Sequence, residues 1–389
     1  MPHLCDPKDC MGCSVCSNTC PKNCISMVVD DEGFVYPEVE EERCISCGLC
    51  EKSCPVLNRK SAVTMTKAYA AVNPDQVTRN TSTSGGVFSL LAQTVLRKNG
   101  VVFGAAYNPD FSVSHQYTET EDGLQRFRGA KYVQSDIGNS YQQVKSFLNE
   151  NRYVLFSGTP CQIAGLQTYL GKDYDKLFCV DLICHGIPSP EVWQHNIDYR
   201  AKIDNDGVRP AHINMRSKST GWQRYSVEFQ YSDKTYSKMY ADDPYMWGYI
   251  KDLYTRPSCF DCKFKGLQRN SDFTLGDYWG IESQHPEMND GMGTSLVFVH
   301  SEKAQNIWSE LCLGLHCREV DAAAAVQWNP MAVQSTSYQE RREEFFRRYQ
   351  NEDFSKLVWE LIPKPVPQKC SIFRRILNKA KRALKRQTT

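Results

Sequence analysis

The sequence predicts a mixed α+β and α/β fold in two unequal parts, a small cysteine-rich module over residues 1–57 and a larger domain over residues 67–362. Ten of the 18 cysteines lie before residue 55. Beyond them, segments with helical and strand periodicity alternate to about residue 200, which is typical of layered α/β domains. Residues 58–66 between the two parts are short and polar, and they predict a linker.

The cysteine-rich module contains one cysteine spacing twice. The pattern C-x2-C-x2-C-x3-C-P occurs at residues 10–21 and returns 34 positions later at residues 44–55. It is the spacing of bacterial two-cluster ferredoxins, in which three cysteines of one run and the last cysteine of the other hold each 4Fe–4S cube. The first cluster is therefore assigned to Cys10, Cys13, Cys16 and Cys54. The second is assigned to Cys44, Cys47, Cys50 and Cys20.

Structural zinc and disulfides are the alternatives for these cysteines. Zinc sites use pairs of closely spaced ligands, and a third cysteine at constant spacing, repeated twice, does not fit that pattern. Disulfides need an oxidising compartment, and the first residues contain no charged-then-apolar signal segment. Cys5 and Cys24 fall outside both runs and are interpreted as non-ligands.

The larger domain is predicted from apolar runs separated by turn residues. Strands are expected at Ala68–Val72, Val101–Ala106, Tyr153–Phe156 and Leu177–Ile183. Helices are expected from Val87, over 139–150, and after Pro160 and Pro190. Strand signals dominate from 211 to 300, and helical patterns return at 302–313 and 337–361. The order of the strands does not follow from these patterns.

A Gly-rich segment precedes the first helix of the larger domain. Ser84, Gly85 and Gly86 are small, so a phosphate can approach the backbone N–H groups at the start of that helix. A serine N-cap with flexible glycines is the alternative. Iron–sulfur clusters pass single electrons, and a flavin is the common link to two-electron chemistry, so the context favours a flavin.

Four further cysteines suggest a third cluster. Cys161 and Cys184 each follow a predicted strand, and Cys259 and Cys262 form a C-x2-C turn. Four thiolates converging at one end of a sheet would hold a third 4Fe–4S cube. The spacing leaves other interpretations open. Cys161 could be a small core residue or a reactive thiol at a helix N-terminus, and Cys259 and Cys262 could be a thiol–disulfide pair or half a zinc site.

Three polar residues are candidates for the chemistry of the larger domain. His185, next to Cys184, is a candidate proton donor, and Lys131 is a candidate partner of a phosphate or a flavin carbonyl. Asp277 lies among two glycines and two aromatic residues, which suits a loop over a planar ligand. The structural alternatives are a packed histidine, a solvated lysine and a tight hairpin.

Charge is distributed unevenly. The net charge is +1, but residues 369–389 carry eight basic side chains and no acidic one. Apolar residues at helical spacing make residues 363–389 a basic amphipathic tail, which predicts contact with an anionic membrane surface or a partner protein, with a solvated terminus as the alternative. The acidic body argues against nucleic-acid binding. Without a long apolar run, the expected location is the cytoplasm, with peripheral membrane contact through the tail.

Taken in order, these segments resemble the coenzyme F420 hydrogenase/dehydrogenase beta-subunit family, in the version with an N-terminal two-cluster ferredoxin module. The resemblance rests on six segments of the larger domain, at residues 82–88, 131–135, 158–162, 181–186, 259–264 and 276–280. It implies an FAD-binding domain with its own 4Fe–4S cluster, ligated by Cys161, Cys184, Cys259 and Cys262. It also implies flavin contacts at Ser84, Gly85 and Gly86.

The expected function is that of an iron–sulfur flavoprotein oxidoreductase. Electrons would move between the clusters and FAD, with hydride exchange to a small organic substrate or coenzyme, of the deazaflavin F420 type or another. A redox partner protein or reduced ferredoxin would supply or accept the electrons. The alternatives are a non-catalytic electron-transfer protein that docks on a partner complex or membrane, including one in a polysaccharide-tailoring pathway, and thiol–disulfide exchange through Cys259 and Cys262.

Overall fold

The computed structural model of the chain describes residues 2–59 and 67–364. Most of the predicted linker and nearly all of the predicted basic tail lie outside these residues. The strands in chain order are β1 (Ile25–Val29), β2 (Val35–Val39), β3 (Lys67–Val72), β4 (Val101–Tyr107), β5 (Val113–Thr118), β6 (Val154–Ser157), β7 (Leu177–Leu182), β8 (His212–Ser217), β9 (Ser226–Gln230), β10 (Thr235–Met239), β11 (Phe273–Asp277), β12 (Ser295–Val299) and β13 (His316–Val320).

The α-helices in chain order are α1 (Val15–Thr19), α2 (Leu49–Ser53), α3 (Gln76–Thr81), α4 (Val87–Leu96), α5 (Ser140–Asn149), α6 (Pro160–Leu170), α7 (Pro190–Asp204), α8 (Pro244–Ile250), α9 (Ile281–Gln284), α10 (Glu302–Cys312), α11 (Ala322–Val326), α12 (Arg342–Arg348) and α13 (Phe354–Leu361). Two helix starts that bear on the site have clear local causes. Helix α6 begins with a capping box between Thr159 and Gln162, and α7 begins with Ser189 as N-cap followed by Pro190.

The larger domain is built on one eight-stranded sheet of mixed direction. Its order is β13-β3-β12-β11-β7-β6-β4-β5, and β4, β6, β7 and β11 run parallel to their neighbours in that set. The parallel strands contain uninterrupted apolar runs such as Val101–Phe103 and Val154–Phe156, because helices cover both faces.

Helices cover the two faces of this sheet with separate apolar cores. On one face, Leu91 of α4 and Trp308 of α10 are buried against the sheet. On the other face, Tyr141 of α5 and Leu166 of α6 are buried in the same core as Met11 and Val15 of the cysteine-rich module. The module therefore completes the core on that second face.

A third core joins the small sheet β10-β9-β8 to the C-terminal helices. Trp193 of α7, Phe229 of β9, Tyr254, Phe345 of α12 and Leu357 of α13 are buried together. The helical pattern predicted over 337–361 forms two helices, because the chain turns after Tyr349 and Asp353 caps α13 through Lys356 N at 2.8 Å.

The antiparallel hairpin β1–β2 connects the cysteine-rich module to the larger domain a second time. At its tip, Ser189 Oγ donates a hydrogen bond to Glu32 O at 2.5 Å, and the Glu32 carboxylate pairs with Arg342. Gly33 approaches the start of α7 so closely that a methyl group there would lie 2.3 Å from Glu191 Cβ. Helix α1 and the hairpin thus contact the larger domain at two places.

Candidate functional site

The structure brings the first predicted cysteine set together at the base of the module, and we call these four residues the inner set. All four side chains are buried, and Cys13 packs into the core of the larger domain. Burial raises the pKa of the Cys16 thiol to about 12, and the nearby thiols of Cys10 and Cys54 add to the rise. Four close, buried cysteines lose their protons together only when a cationic centre binds them and offsets the charge of the thiolates. The inner set comprises Cys10, Cys13, Cys16 and Cys54.

The second predicted set, which we call the outer set, lines one small cavity at the other end of the module. Cys47 is exposed and Cys50 is buried, so this cavity lies near the surface. The two sets therefore differ in environment, one beneath the larger domain and one towards solvent. The outer set comprises Cys20, Cys44, Cys47 and Cys50.

The backbone repeats with the cysteines. Gly12 and Ser46 have φ values of 64° and 52°, and Ser14 and Gly48 have values of 59° and 70°. These pairs are 34 residues apart, as are the cysteines beside them. Alternation of left-handed and right-handed residues turns successive N–H groups inward, which forms the anion-binding concavities found around iron–sulfur clusters. Both loops therefore carry left-handed residues at the same two positions, which suits such a concavity.

Each of the two cysteines interpreted as non-ligands lies beside one set. Contacts with Cys10 and Cys54 raise the pKa of the Cys5 thiol well above its ordinary value. Cys24 Sγ lies 3.4 Å from Cys20 Sγ. Their assignment as non-ligands stays a prediction.

Four cysteines from distant parts of the larger domain meet in a third set. Cys161 lies in the first turn of α6, Cys184 follows β7, and Cys259 and Cys262 follow α8. Burial raises the pKa of Cys259 well above its ordinary value, and repulsion from Cys184, Cys161 and Cys262 raises it further. The chain separations show that only the fold brings these thiols near one another.

The geometry of the cysteine sets differs from that of a single-ion site. Across residues 2–59 and 67–364, no three histidine, cysteine, aspartate or glutamate side chains are arranged to hold one metal ion. A cube attaches each thiolate to a different iron, so its ligands stand farther apart than the ligands of one zinc ion. Four cysteines in each set is the ligand number that such a cube requires.

A cavity of about 620 Å³ opens beside the third set. Its floor is formed by the carboxyl ends of parallel strands, with Ser157 at the end of β6, Cys184 after β7 and Asp277 at the end of β11. In α/β sheets this edge is where ligands bind. The volume is within the range of pockets that hold cofactors and small ligands, and Cys184 belongs to both the third set and the cavity wall.

Lys131 borders the cavity without a carboxylate partner among the described residues. Its Nζ donates to the carbonyls of Arg126 at 2.7 Å, Arg128 at 3.0 Å and Gly129 at 3.3 Å. Burial lowers the pKa of Lys131 from 10.5 to about 7. The ammonium therefore holds the loop before it and offers a positive charge that is poorly compensated in the folded protein.

Asp277 anchors a cationic and aromatic wall of the same cavity. Its Oδ2 lies 2.8 Å from Arg216 Nη1, and its Oδ1 accepts a hydrogen bond from Trp222 Nε1 at 3.0 Å. The Arg216 guanidinium lies 4.4 Å from the ring of Tyr225 and 5.2 Å from that of Trp279. Flat faces next to a fixed cation suit a planar ligand.

Two histidines contribute to the cavity wall. His185 Nε2 lies 2.9 Å from Asp252 Oδ1, and its ring packs edge-on against Tyr249. His115 is stacked on Phe156 and bonds to Ser157 O and Ser135 Oγ, each at 3.0 Å. Burial lowers the pKa of His115 to about 4. His185 is thus oriented by a carboxylate, and His115 is held neutral.

The Gly-rich segment before α4 lies outside the residues that line the cavity, although Phe88 of the same helix lines it. Ser84 Oγ donates to Thr294 O at 2.8 Å, and Gly85 N donates to Ser295 Oγ at 3.0 Å. A methyl group at Gly85 would lie 2.4 Å from Ala71 O, so the glycine is required by close packing on β3. Flavin contact by Ser84, Gly85 and Gly86 stays a prediction.

Several residues of the site carry no motif in the sequence. Arg216 lies in the ordinary strand β8, Tyr141 lies on an apolar helix face, and Arg256 is one arginine among many. Tyr141 OH donates to Gln162 O at 2.9 Å, next to Cys161. Only the folding of the chain brings these side chains to the cysteines and the cavity.

Comparisons with known proteins identify two families in the chain. Residues 151–321 match the model for the C terminus of the coenzyme F420 hydrogenase/dehydrogenase beta subunit, and residues 9–58 match that of a 4Fe–4S dicluster domain. No curated protein sequence matches the chain. The two family matches confirm the resemblance seen in the sequence and the ferredoxin-type module at its N-terminus.

Among solved structures, the chain is similar to one in the F420-reducing [NiFe] hydrogenase complex from Methanosarcina barkeri. The identity is 14% and the TM-score is 0.46, with coverage of 69% of this chain and 91% of that chain. No helix among the described residues is both long and apolar enough to cross a bilayer.

Proposed function

Because the chain joins a 4Fe–4S dicluster domain to the C-terminal domain of the coenzyme F420 hydrogenase/dehydrogenase beta subunit, we propose that it is an iron–sulfur flavoprotein oxidoreductase. It moves electrons between the inner, outer and third cysteine sets, each holding a 4Fe–4S cluster, and FAD in the cavity beside Cys184. A small organic substrate or coenzyme exchanges hydride at that cavity.

The observation that carries the proposal is the contact between the inner set and helix α6. A methyl group at Gly165 would lie 3.4 Å from Cys13 Sγ, so the thiol packs directly on the helix backbone. Cys161 lies four residues earlier, one turn away on the same helix face. The side chain of Tyr141 reaches the same place and bonds to Gln162 O. Cys13 of the inner set therefore contacts the helix that carries Cys161 of the third set, one turn away.

The third set lies between helix α6, which the inner set contacts, and the cavity. Cys184 contributes its thiol to the set and its surface to the cavity wall. Clusters exchange single electrons, and a bound flavin connects them to two-electron chemistry. At the other end, the exposed Cys47 makes the outer set the place where a redox partner protein gives or takes electrons.

Residues around the cavity bind the ligand and exchange protons with the substrate. Lys131 supplies positive charge to an anionic ligand, and Asp277 fixes Arg216 against the aromatic wall. Asp252 holds Nε2 of His185, so Nδ1 is presented for proton exchange with the substrate. Ser84, Gly85 and Gly86 retain the role of flavin contacts in this proposal.

The test is anaerobic purification followed by iron, sulfide and flavin analysis of the wild type and two serine variants. We expect about twelve irons, as three cubes require, and one FAD per chain in the wild type. Cys161→Ser should remove about four irons and leave the ferredoxin-type signal. Cys317→Ser, at a half-buried thiol outside all three sets, is the matched control and should keep the full content.

About eight irons without flavin, unchanged by Cys161→Ser, would contradict the proposal and leave an electron carrier. For the holoprotein, stopped-flow reduction of the flavin with reduced deazaflavin, NAD(P)H and reduced ferredoxin identifies the partner class. Reduction by none of the three would contradict hydride or electron exchange at the cavity.

A further inference from the structure

Arg256 is a fully buried guanidinium at the contact between the two parts of the chain. Its Nε donates to Cys10 O at 2.8 Å, and its Nη2 donates to Val35 O at 2.9 Å. Its Nη1 donates to Gln134 Oε1 at 3.1 Å. One side chain of the larger domain therefore binds both the inner-set loop and the β1–β2 hairpin.

All three acceptors are neutral. In the described ranges, no carboxylate lies within ion-pair distance of Arg256, whereas the buried arginines Arg79, Arg216 and Arg342 each have one. The rings of Tyr36 and Phe34 flank the guanidinium, with centroids 4.4 Å and 5.3 Å from Cζ. An arginine does not lose its proton, so this charge remains buried without a carboxylate to balance it.

The guanidinium packs directly on the loop that carries Cys10 and Cys13. A methyl group at Gly12 would lie 2.9 Å from Arg256 Nη1, and Gly12 has a φ of 64°. A 4Fe–4S cube with four thiolate ligands carries net negative charge, and reduction adds one more unit. The guanidinium, which has no carboxylate partner, therefore packs on the loop that would hold this anionic group.

We propose that Arg256 is the counter-charge of the inner cluster and that it raises the reduction potential of this cluster above that of the outer cluster. The inference rests on the inner-cluster assignment in the proposed function. A nearby cation stabilises the more negative, reduced state, and net charge and hydrogen bonds are established determinants of cluster potential. Electrons that enter at the outer set then flow inward.

The sharpest test neutralises Arg256 without removing it. Gln134→Glu places a carboxylate where Gln134 Oε1 now accepts from Nη1, and it preserves the size of the side chain. We expect the midpoint potential of one cluster to fall by about 59 mV or more, which is a tenfold change in the equilibrium constant of a one-electron reduction. The measurement is a potentiometric titration of the holoprotein followed by electron paramagnetic resonance.

Gln116→Glu is the matched control. Gln116 Oε1 accepts from Arg126 Nη1 at 3.0 Å on the edge strand β5, so the change creates the same kind of pair away from the cysteines. It should leave every midpoint unchanged. Arg256→Lys keeps the charge and should retain most of the potential, whereas Arg256→Gln should lower it as far as Gln134→Glu or farther.

Unchanged midpoints in Gln134→Glu with full iron content would overturn the inference and leave the proposed function intact. Equal shifts in Gln134→Glu and Gln116→Glu would also overturn it. If Gln134→Glu loses iron, the comparison of Arg256→Lys with wild type decides, because a lowered midpoint in a variant that keeps the charge contradicts the electrostatic role. Absence of clusters from the wild type would instead refute the proposed function.

Discussion

Under the proposed function, Lys131 should make the binding of FAD in the cavity depend on pH. Burial lowers its pKa to about 7, so about half of the chains carry a neutral amine at pH 7 in the unliganded protein. FAD carries two negatively charged phosphates, and an anion in the cavity stabilises the ammonium. Binding therefore raises the pKa of Lys131 and takes up a proton.

The size of the effect follows from the pKa. If the bound state keeps the ammonium, the apparent dissociation constant scales as one plus the ratio of neutral to charged amine in the free protein. From pH 7 to pH 9 this factor weakens binding by at most about 50-fold, or about 2.3 kcal/mol. Affinity should therefore be highest well below pH 7, and it should fall as pH rises above the pKa of Lys131 in the free protein.

The assay is fluorescence titration of flavin-depleted protein with FAD at pH 7, 8 and 9. Lys131→Arg keeps its charge over this range, so its affinity should not change with pH. The affinity of Lys131→Met should also not change with pH, and it should be lower than that of the wild type at pH 7. Equal affinity of the wild type at pH 7 and pH 9, or an equal slope in Lys131→Met, would refute the assignment of this charge to the ligand.

Three further outcomes are expected. Gly33→Ala drives a methyl group into Glu191 and should speed hydrogen exchange in the β1–β2 hairpin, whereas Gly171→Ala, with a similar positive φ and open space, should not. Asp277→Asn leaves Arg216 buried without its anion, so denaturant titration should show a loss of about 3 kcal/mol; a loss below about 1 kcal/mol would contradict the pair. His115, with its pKa lowered from 6.5 to about 4, binds fewer protons folded than unfolded. Stability present above pH 6.5 should therefore fall towards pH 4, and less steeply in His115→Gln; parallel slopes would contradict this.

Local patterns predicted the elements of the fold well. The runs Val101–Ala106 and Leu177–Ile183 form strands β4 and β7 within one residue, because strands covered on both faces are continuously apolar. The repeated cysteine spacing predicted the dicluster module, because a cube imposes the same loop wherever it is held.

Long-range pairing did not follow from the sequence. Strand β3 pairs with β12 and β13 from the far end of the chain, which no local periodicity encodes.

The helix start at Gly86 resembled a phosphate site, yet Gly85 N–H is bonded to Ser295 Oγ. The roles of Arg216 and Arg256 depend on which neutral or charged groups surround them, and that is a property of the folded chain alone.

The burial of Cys13 against Gly165 also governs how the holoprotein is made. Once α1 has packed onto α6, the Cys13 side chain is buried, so iron and sulfide should reach its thiol poorly from outside. We therefore expect cofactor insertion to precede closure of the module onto the larger domain during biogenesis. A chain that folds without its inner cluster would keep Arg256 buried without an anion. We expect such a chain to be less stable and to be degraded in the cell.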